Sequence, residues 1–137
     1  MTPLDEILGR YVIKLPPGMK LITSNSLRDS RIIRDIRETS SRIAIELGIP
    51  RQHYVKVRGV YYYPDNKRHD PGNYSIAVKA MIDGGLVDTK IIPDDNDKYL
   101  TNEGIHRGYP NVAGGQLALV VQGSGTGYKF GRMWLWK

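Results

Sequence analysis

Cysteine is missing altogether from this chain of 137 residues. Disulfides, thiolate zinc sites and cysteine nucleophiles are therefore excluded, and a reducing, cytoplasmic setting is expected. No apolar run approaches the roughly 18 residues that a membrane-spanning helix needs, so no membrane partner is expected either. Asp5 and Glu6 come before any apolar run, which is not the layout of a secretory signal. Histidine is scarce, and His53, His69 and His106 lack the close spacing of a zinc site. Several familiar signatures are incomplete. Residues 123–127 (GSGTG) have neither the lysine-serine pair nor the following helix of a phosphate-binding loop, and read as a turn. Residues 94–105 open like a calcium loop, but Tyr99 stands in place of its glycine and Ile105 in place of its last glutamate. Nothing resembles the elbow that presents a serine nucleophile.

What is present is ordinary in amount and basic in balance. Hydrophobic residues make up 40% and charged residues 25%, as in a soluble globular protein. The length fits one domain, 1–137, with a real core. Twenty Lys and Arg against fourteen Asp and Glu leave a formal charge of +6. That excess implies attraction to nucleic acid or an anionic surface, and says nothing about fold.

The hydrophobic pattern changes period along the chain. RYVIKL, residues 10–15, reads as a short strand closed by Pro16, Pro17 and Gly18. Asn25 or Ser26 caps a helix to about Leu47, with Ile32, Ile33, Ile36, Ile43, Ala44 and Leu47 at helical spacing. Gly48 and Pro50 stop it. Its other side carries Arg28, Arg31, Arg34, Arg37 and Arg42, either as a solvated face laced with Asp35 and Glu38 or as contacts to phosphates. HYVKVRGVYYY, residues 53–63, reads as a long strand with a bulge at Gly59. Its tyrosines read first as strand core and rim, with stacking on unpaired bases as the alternative. Asn73 caps a helix from about Tyr74 to Met81 or Ile82, which Gly84 and Gly85 then weaken. QLALVVQ, residues 116–122, reads as a central strand, and residues 123–137 as an edge strand or an arm packing on a partner subunit. Together these elements predict an α/β (α+β) domain, a small mixed sheet with helices on one face.

Within this basic chain, residues 67–97 set Asp70 at one end of an apolar stretch and Asp94 and Asp95 at the other, with Lys79 between. Carboxylates kept in a basic protein suit a divalent cation held against a polyanion. Magnesium takes one or two protein carboxylates and fills its shell with water and phosphate oxygen. Asp70, Asp94 and Asp95 are the expected ligands; the ion would lower the pKa of its bound water. Lys79 would stabilise charge developing on the phosphate. Simpler roles compete: Asp83 as an i,i+4 ion pair to Lys79, and Asp94 and Asp95 as turn or cap residues after Pro93.

The quoted residues also resemble a known family. Asp70-Pro71-Gly72-Asn73, then Val78-Lys79-Ala80-Met81-Ile82-Asp83-Gly84, then Pro93-Asp94-Asp95 are similar to the motifs of the RusA family of Holliday junction resolvases, phage-borne members especially. The resemblance implies a homodimeric, magnesium-dependent endonuclease, with manganese as the alternative ion, that nicks four-way DNA junctions symmetrically in recombination, repair or the processing of branched DNA. It implies metal ligation by Asp70 and the Asp94–Asp95 pair, catalysis by Lys79, support from Asn73 and Asp83, and DNA contacts from Lys67, Arg68, Arg28, Arg31 and Arg34. Two departures stand out. Gly72 replaces a carboxylate, and Gly84-Gly85 looks like a one-residue insertion before the aspartate pair. Either Asp88 or Asp97 compensates, or metal binding and catalysis are weakened, or the chain binds junctions without cutting them.

Overall fold

The computed structural model describes residues 9–23, 29–65 and 71–123. The expected sites at Arg28, Lys67, Arg68 and Asp70, and the expected arm beyond Gly123, lie outside those residues. The described elements are strand β1 (Arg10–Lys14), helix α1 (Ser30–Leu47), strand β2 (Val55–Tyr62), helix α2 (Ser75–Ile82), strand β3 (Leu100–Arg107) and strand β4 (Gln116–Gly123). The strands form one mixed sheet in the order β1-β4-β2-β3. β4 runs antiparallel to both β1 and β2, and β3 runs parallel to β2. The result is a small mixed α/β domain with helices packed on one face of a four-stranded sheet.

Strand alternation decides which face the helices cover. In β1, Tyr11 and Ile13 are buried while Arg10, Val12 and Lys14 point outward. In β2, Val55, Val57, Gly59 and Tyr61 face the core. β4, apolar almost throughout, takes the place between them. Onto the inner side α1 lays Ile36, Ser40 and Ala44, and α2 lays Ala77, Val78, Ala80, Met81 and Ile82.

The ends of α1 follow capping chemistry. Asp29, not Asn25 or Ser26, is the N-cap, accepting a hydrogen bond from the Arg31 backbone N–H at 2.9 Å. Gly48 ends the helix in the left-handed region, φ 67°, and its N–H reaches the carbonyls of Ala44 and Ile45.

Two glycines are there for close approach, not for flexibility. A Cβ on Gly59 would lie 2.8 Å from the Val78 side chain, so its bareness lets α2 settle on the sheet. The expected bulge does occur there, but the extra residue sits in the partner strand. Register passes from Val57–Asn102 to Gly59–Ile105, two steps along β2 against three along β3, with Gly104 at φ 87°. α-Helical geometry ends at Ile82, as expected ahead of Gly84 and Gly85, but the chain does not leave the helix there. The helix continues through them as a π turn, Asp83–Val87, with both glycines buried. Gly84 lies directly against the backbone of Arg37 in α1.

β3 is the element the sequence did not suggest. Of LTNEGIHR only Leu100 is buried, so no alternation marks it. It is an edge strand, held by its pairing with β2.

Candidate functional site

Helical spacing brings Lys79 and Asp83 onto one face of α2 and its continuation, four residues apart. The Lys79 ammonium donates to Asp83 Oδ1 at 2.7 Å, and also bonds the Asp95 carboxylate. Asp95 arrives from the turn after Pro93, so one cation joins two carboxylates from different segments. Asp94 turns the other way. Its Oδ1 accepts from the Asp95 backbone N–H at 2.8 Å and its Oδ2 from the Asn96 amide at 3.0 Å. It serves the turn, as an aspartate after proline often does. Asn73 lies inside the 3-10 turn Pro71–Tyr74, and the cap position of α2 is Tyr74, not Asn73.

A groove runs beside this cluster along the seam of the two helices. Ile33, Ile76, Lys79 and Asp83 line one part of it, and Arg34, Arg37 and Asp88 line the adjoining part, with Ile33 common to both. Arg37 is clamped to Asp88 by two bonds of 2.8 and 3.1 Å, which ties α1 to the end of the π turn. Arg31 reaches its cap residue Asp29 at 3.6 Å and stays 80% exposed. Arg34 is exposed and makes no ion pair among the described residues. Arg34 and Lys79 thus border adjoining parts of one groove.

This geometry overturns the expected magnesium or manganese site, and with it the metal-dependent endonuclease. Among the described residues, no group of three or more His, Cys, Asp or Glu side chains is placed to hold a metal ion. The reason is visible at the carboxylates among the described residues, which do not include Asp70. Asp83 and Asp95 already share the Lys79 ammonium, and Asp94 is spent on its own turn. Asp88, a candidate to replace the lost ligand at Gly72, is taken by Arg37, and Asp97 is exposed on the turn.

The electrostatics suit a closed ion cluster. The Lys79 hydrogen bond holds the Asp95 carboxyl below its ordinary range, against the opposing effect of burial. For Lys79, burial is the largest influence and lowers its pKa, yet the bonds from Asp83 and Asp95 together outweigh it and leave it raised. The stabilisation from Asp95 is therefore present above the ordinary carboxylate pKa of 3.8 and lost as pH falls through the lowered value. That from Lys79 is present below 10.5 and lost as pH rises through the raised value. Replacing Lys79 with methionine is expected to cost about 0.5 kcal/mol at pH 7, since such half-exposed pairs are heavily screened. The difference from the parent protein should shrink below pH 4. Urea midpoints from pH 2.5 to 7 check this, and a constant difference over that range counts against it.

A second polar set went unassigned at the level of sequence. Arg10 and Lys14 of β1 and Lys56 and Arg58 of β2 occupy the sheet face opposite the helices. The signal was there in the alternation of RYVIK and VKVRGV, whose polar positions are all cations. No protein-family model matches the chain, and no curated protein is similar enough to it to be matched.

Proposed function

We propose that this chain is a RusA-like protein that binds branched DNA, four-way junctions above all, as a homodimer and leaves the strands intact. The observation that carries this reading is the cluster at Lys79. Of the residues that the resemblance implies at the site, Lys79, the catalytic lysine, is bonded both to Asp95, an expected metal ligand, and to the supporting Asp83. A lysine occupied by two carboxylates is a structural tie. The missing carboxylate at Gly72 agrees with that role. So does the π turn at residues 83–87, because an extra residue in a helix is absorbed as one wider turn, here at the glycine pair where the resemblance implies an insertion. Binding would fall to the exposed cations of α1, Arg31 and Arg34, in a chain of formal charge +6. A two-fold pair of such surfaces matches the symmetry of a four-way junction.

Fluorescence anisotropy with a labelled four-way junction and a linear duplex of equal length tests the proposal. Tighter binding to the junction is expected, unchanged by EDTA, with two chains per junction by light scattering. The strands should remain uncut after incubation with magnesium or manganese. Equal affinity for the duplex, a single chain per junction, or metal-dependent nicks would each overturn it.

A further inference from the structure

We infer that the pocket where the chain enters β2 is a subsite for a phosphate monoester with an organic body, as a nucleotide presents. The inference is independent of the junction reading, because this pocket shares no described wall residue with the groove beside Lys79. Its volume is about 450 Å³, and its walls include Arg51, Gln52 and His53 from the segment before β2. Lys90, Ile91 and Pro93, from the segment after the π turn, complete the described walls.

Backbone contacts hold the two segments together. The Gln52 N–H donates to the Ile91 carbonyl at 2.8 Å. The Gln52 side chain is buried and donates to the Pro50 carbonyl at 3.1 Å. Arg51 and Lys90 each stand one residue before a partner in the first of these bonds. Their side chains therefore start from neighbouring backbone and border one cavity. Both residues are exposed, and neither side chain has an ion pair or hydrogen bond among the described residues. His53 has a partner of its own and is not counted as a donor. No carboxylate is among the described walls. Asp88, Asp94 and Glu46 are the nearest along the chain. They are bonded to Arg37, to their own turn and to Arg42 in that order.

The backbone at Lys90 is a second sign. Lys90 lies in the left-handed region, φ 65°, and its N–H closes the π turn on the Val87 carbonyl at 3.0 Å. Glycine adopts that conformation freely, whereas a lysine does so at a conformational cost. A demand for the cation at the cavity accounts for a residue that stability alone would replace.

The donors decide the class of ligand. A guanidinium presents a planar fork to two oxygens and an ammonium adds a point charge, so a phosphate dianion uses both. A single carboxylate occupies the fork and leaves the second cation idle. The cavity lies within the range of small-ligand sites, about 300–1,000 Å³, and bare phosphate fills little of it. Ile91 and Pro93 supply apolar surface for the remainder, which suits the sugar and base of a nucleotide. Such a group comes as a free nucleotide or as the phosphorylated end of a strand.

The test is an NMR titration of the isotope-labelled whole chain with thymidine, inorganic phosphate, thymidine 5′-monophosphate and 5′-phosphorylated oligothymidine. The monophosphate is expected to shift the amides of residues 51–53 and 90–92 with a Kd of about 1 mM or tighter. Thymidine should not shift them, and inorganic phosphate should bind roughly threefold more weakly or less. Arg51→Glu with Lys90→Glu should weaken the monophosphate at least tenfold, to about a tenth of its affinity. Lys90→Gly should also weaken it, yet melt no lower than the parent protein, which separates the site from the fold. A phosphorylated strand that binds far tighter than the monophosphate identifies the strand end as the source. One that binds no tighter identifies the free nucleotide, and either result supports the subsite. Succinate acting as strongly as the monophosphate, shifts confined to other residues, or binding indifferent to the variants would overturn it. The same shifts produced by rising protein concentration alone would make the pocket a contact between copies, and would overturn it too.

Discussion

Gly84→Ala is expected to lower the melting temperature by about 10 °C, the largest stability loss among the changes considered. Helix propensity alone argues the other way, since alanine is favoured over glycine inside a helix by about 1 kcal/mol. Packing reverses the sign. A Cβ at this position would lie 2.5 Å from the Arg37 Cα and 2.6 Å from its carbonyl carbon. Those atoms are backbone in the middle of α1, and no rotamer change moves them. The helix or the π turn must shift, and overpacking of this kind costs typically 1–3 kcal/mol or more. Against immovable backbone the cost lies at the top of that range, so a net loss of about 2 kcal/mol follows after the propensity gain, read by circular dichroism melts. Gly48→Ala is the useful contrast. Gly48 has φ 67° and nothing within 4 Å of its added Cβ, so only the left-handed backbone is penalised, by about 1 kcal/mol. If Gly84→Ala melts with or above the parent protein, the close approach of the two helical backbones is wrong.

That contact also shows where sequence stops being informative. Glycines in a helical stretch are ambiguous from propensity, because a breaker and a close-packing residue have the same composition. Only the placement of Arg37, some fifty residues earlier, tells which role Gly84 plays. Elements that carry their own period were legible without such help. The isoleucines of α1 recur at helical spacing, and β1, β2 and β4 bury alternate or continuous apolar residues. β3 carries no such period, because an edge strand with a single buried residue, Leu100, needs no apolar pattern. It is set by its neighbour β2 instead. The bulge shows the same limit: Gly59 marked its level, while the extra residue belonged to β3.

The candidate site divides along the same line. Lys79 and Asp83 are four apart on one helix, so their ion pair was readable from spacing. Asp95 joins the same lysine through the path of residues 83–95, which no local rule fixes. Counting carboxylates along the chain suggested a metal; what matters is which cation each oxygen already holds. Asp88 is the plain case. It was a candidate ligand by sequence, and its two oxygens are both engaged by the Arg37 guanidinium. That bond is also the largest influence holding the Arg37 pKa above its ordinary value.

Raising potassium chloride from 50 to 200 mM is expected to weaken junction binding by about a thousandfold. The argument is counterion release: each phosphate neutralised on duplex DNA contributes roughly 0.9 to the slope of log affinity on log salt. About six phosphates per dimer, three from each chain, give a slope near −5.4. Arg31 and Arg34 carry most of this on each copy. Arg34 has no ion pair to break among the described residues, and the 3.6 Å contact of Arg31 with Asp29 is exposed and cheap to exchange. Charge reversal at both positions should therefore remove about four contacts per dimer and make the slope shallower by roughly 3.6. Arg37 supplies the control. Its guanidinium is committed to Asp88, so Arg37→Ala should lower the melting temperature and leave the salt slope alone. Were Arg37→Ala to flatten the slope as much as Arg31→Glu with Arg34→Glu, DNA would be drawing the clamp open. The helical seam, not the exposed arginines, would then be the surface that meets the phosphates.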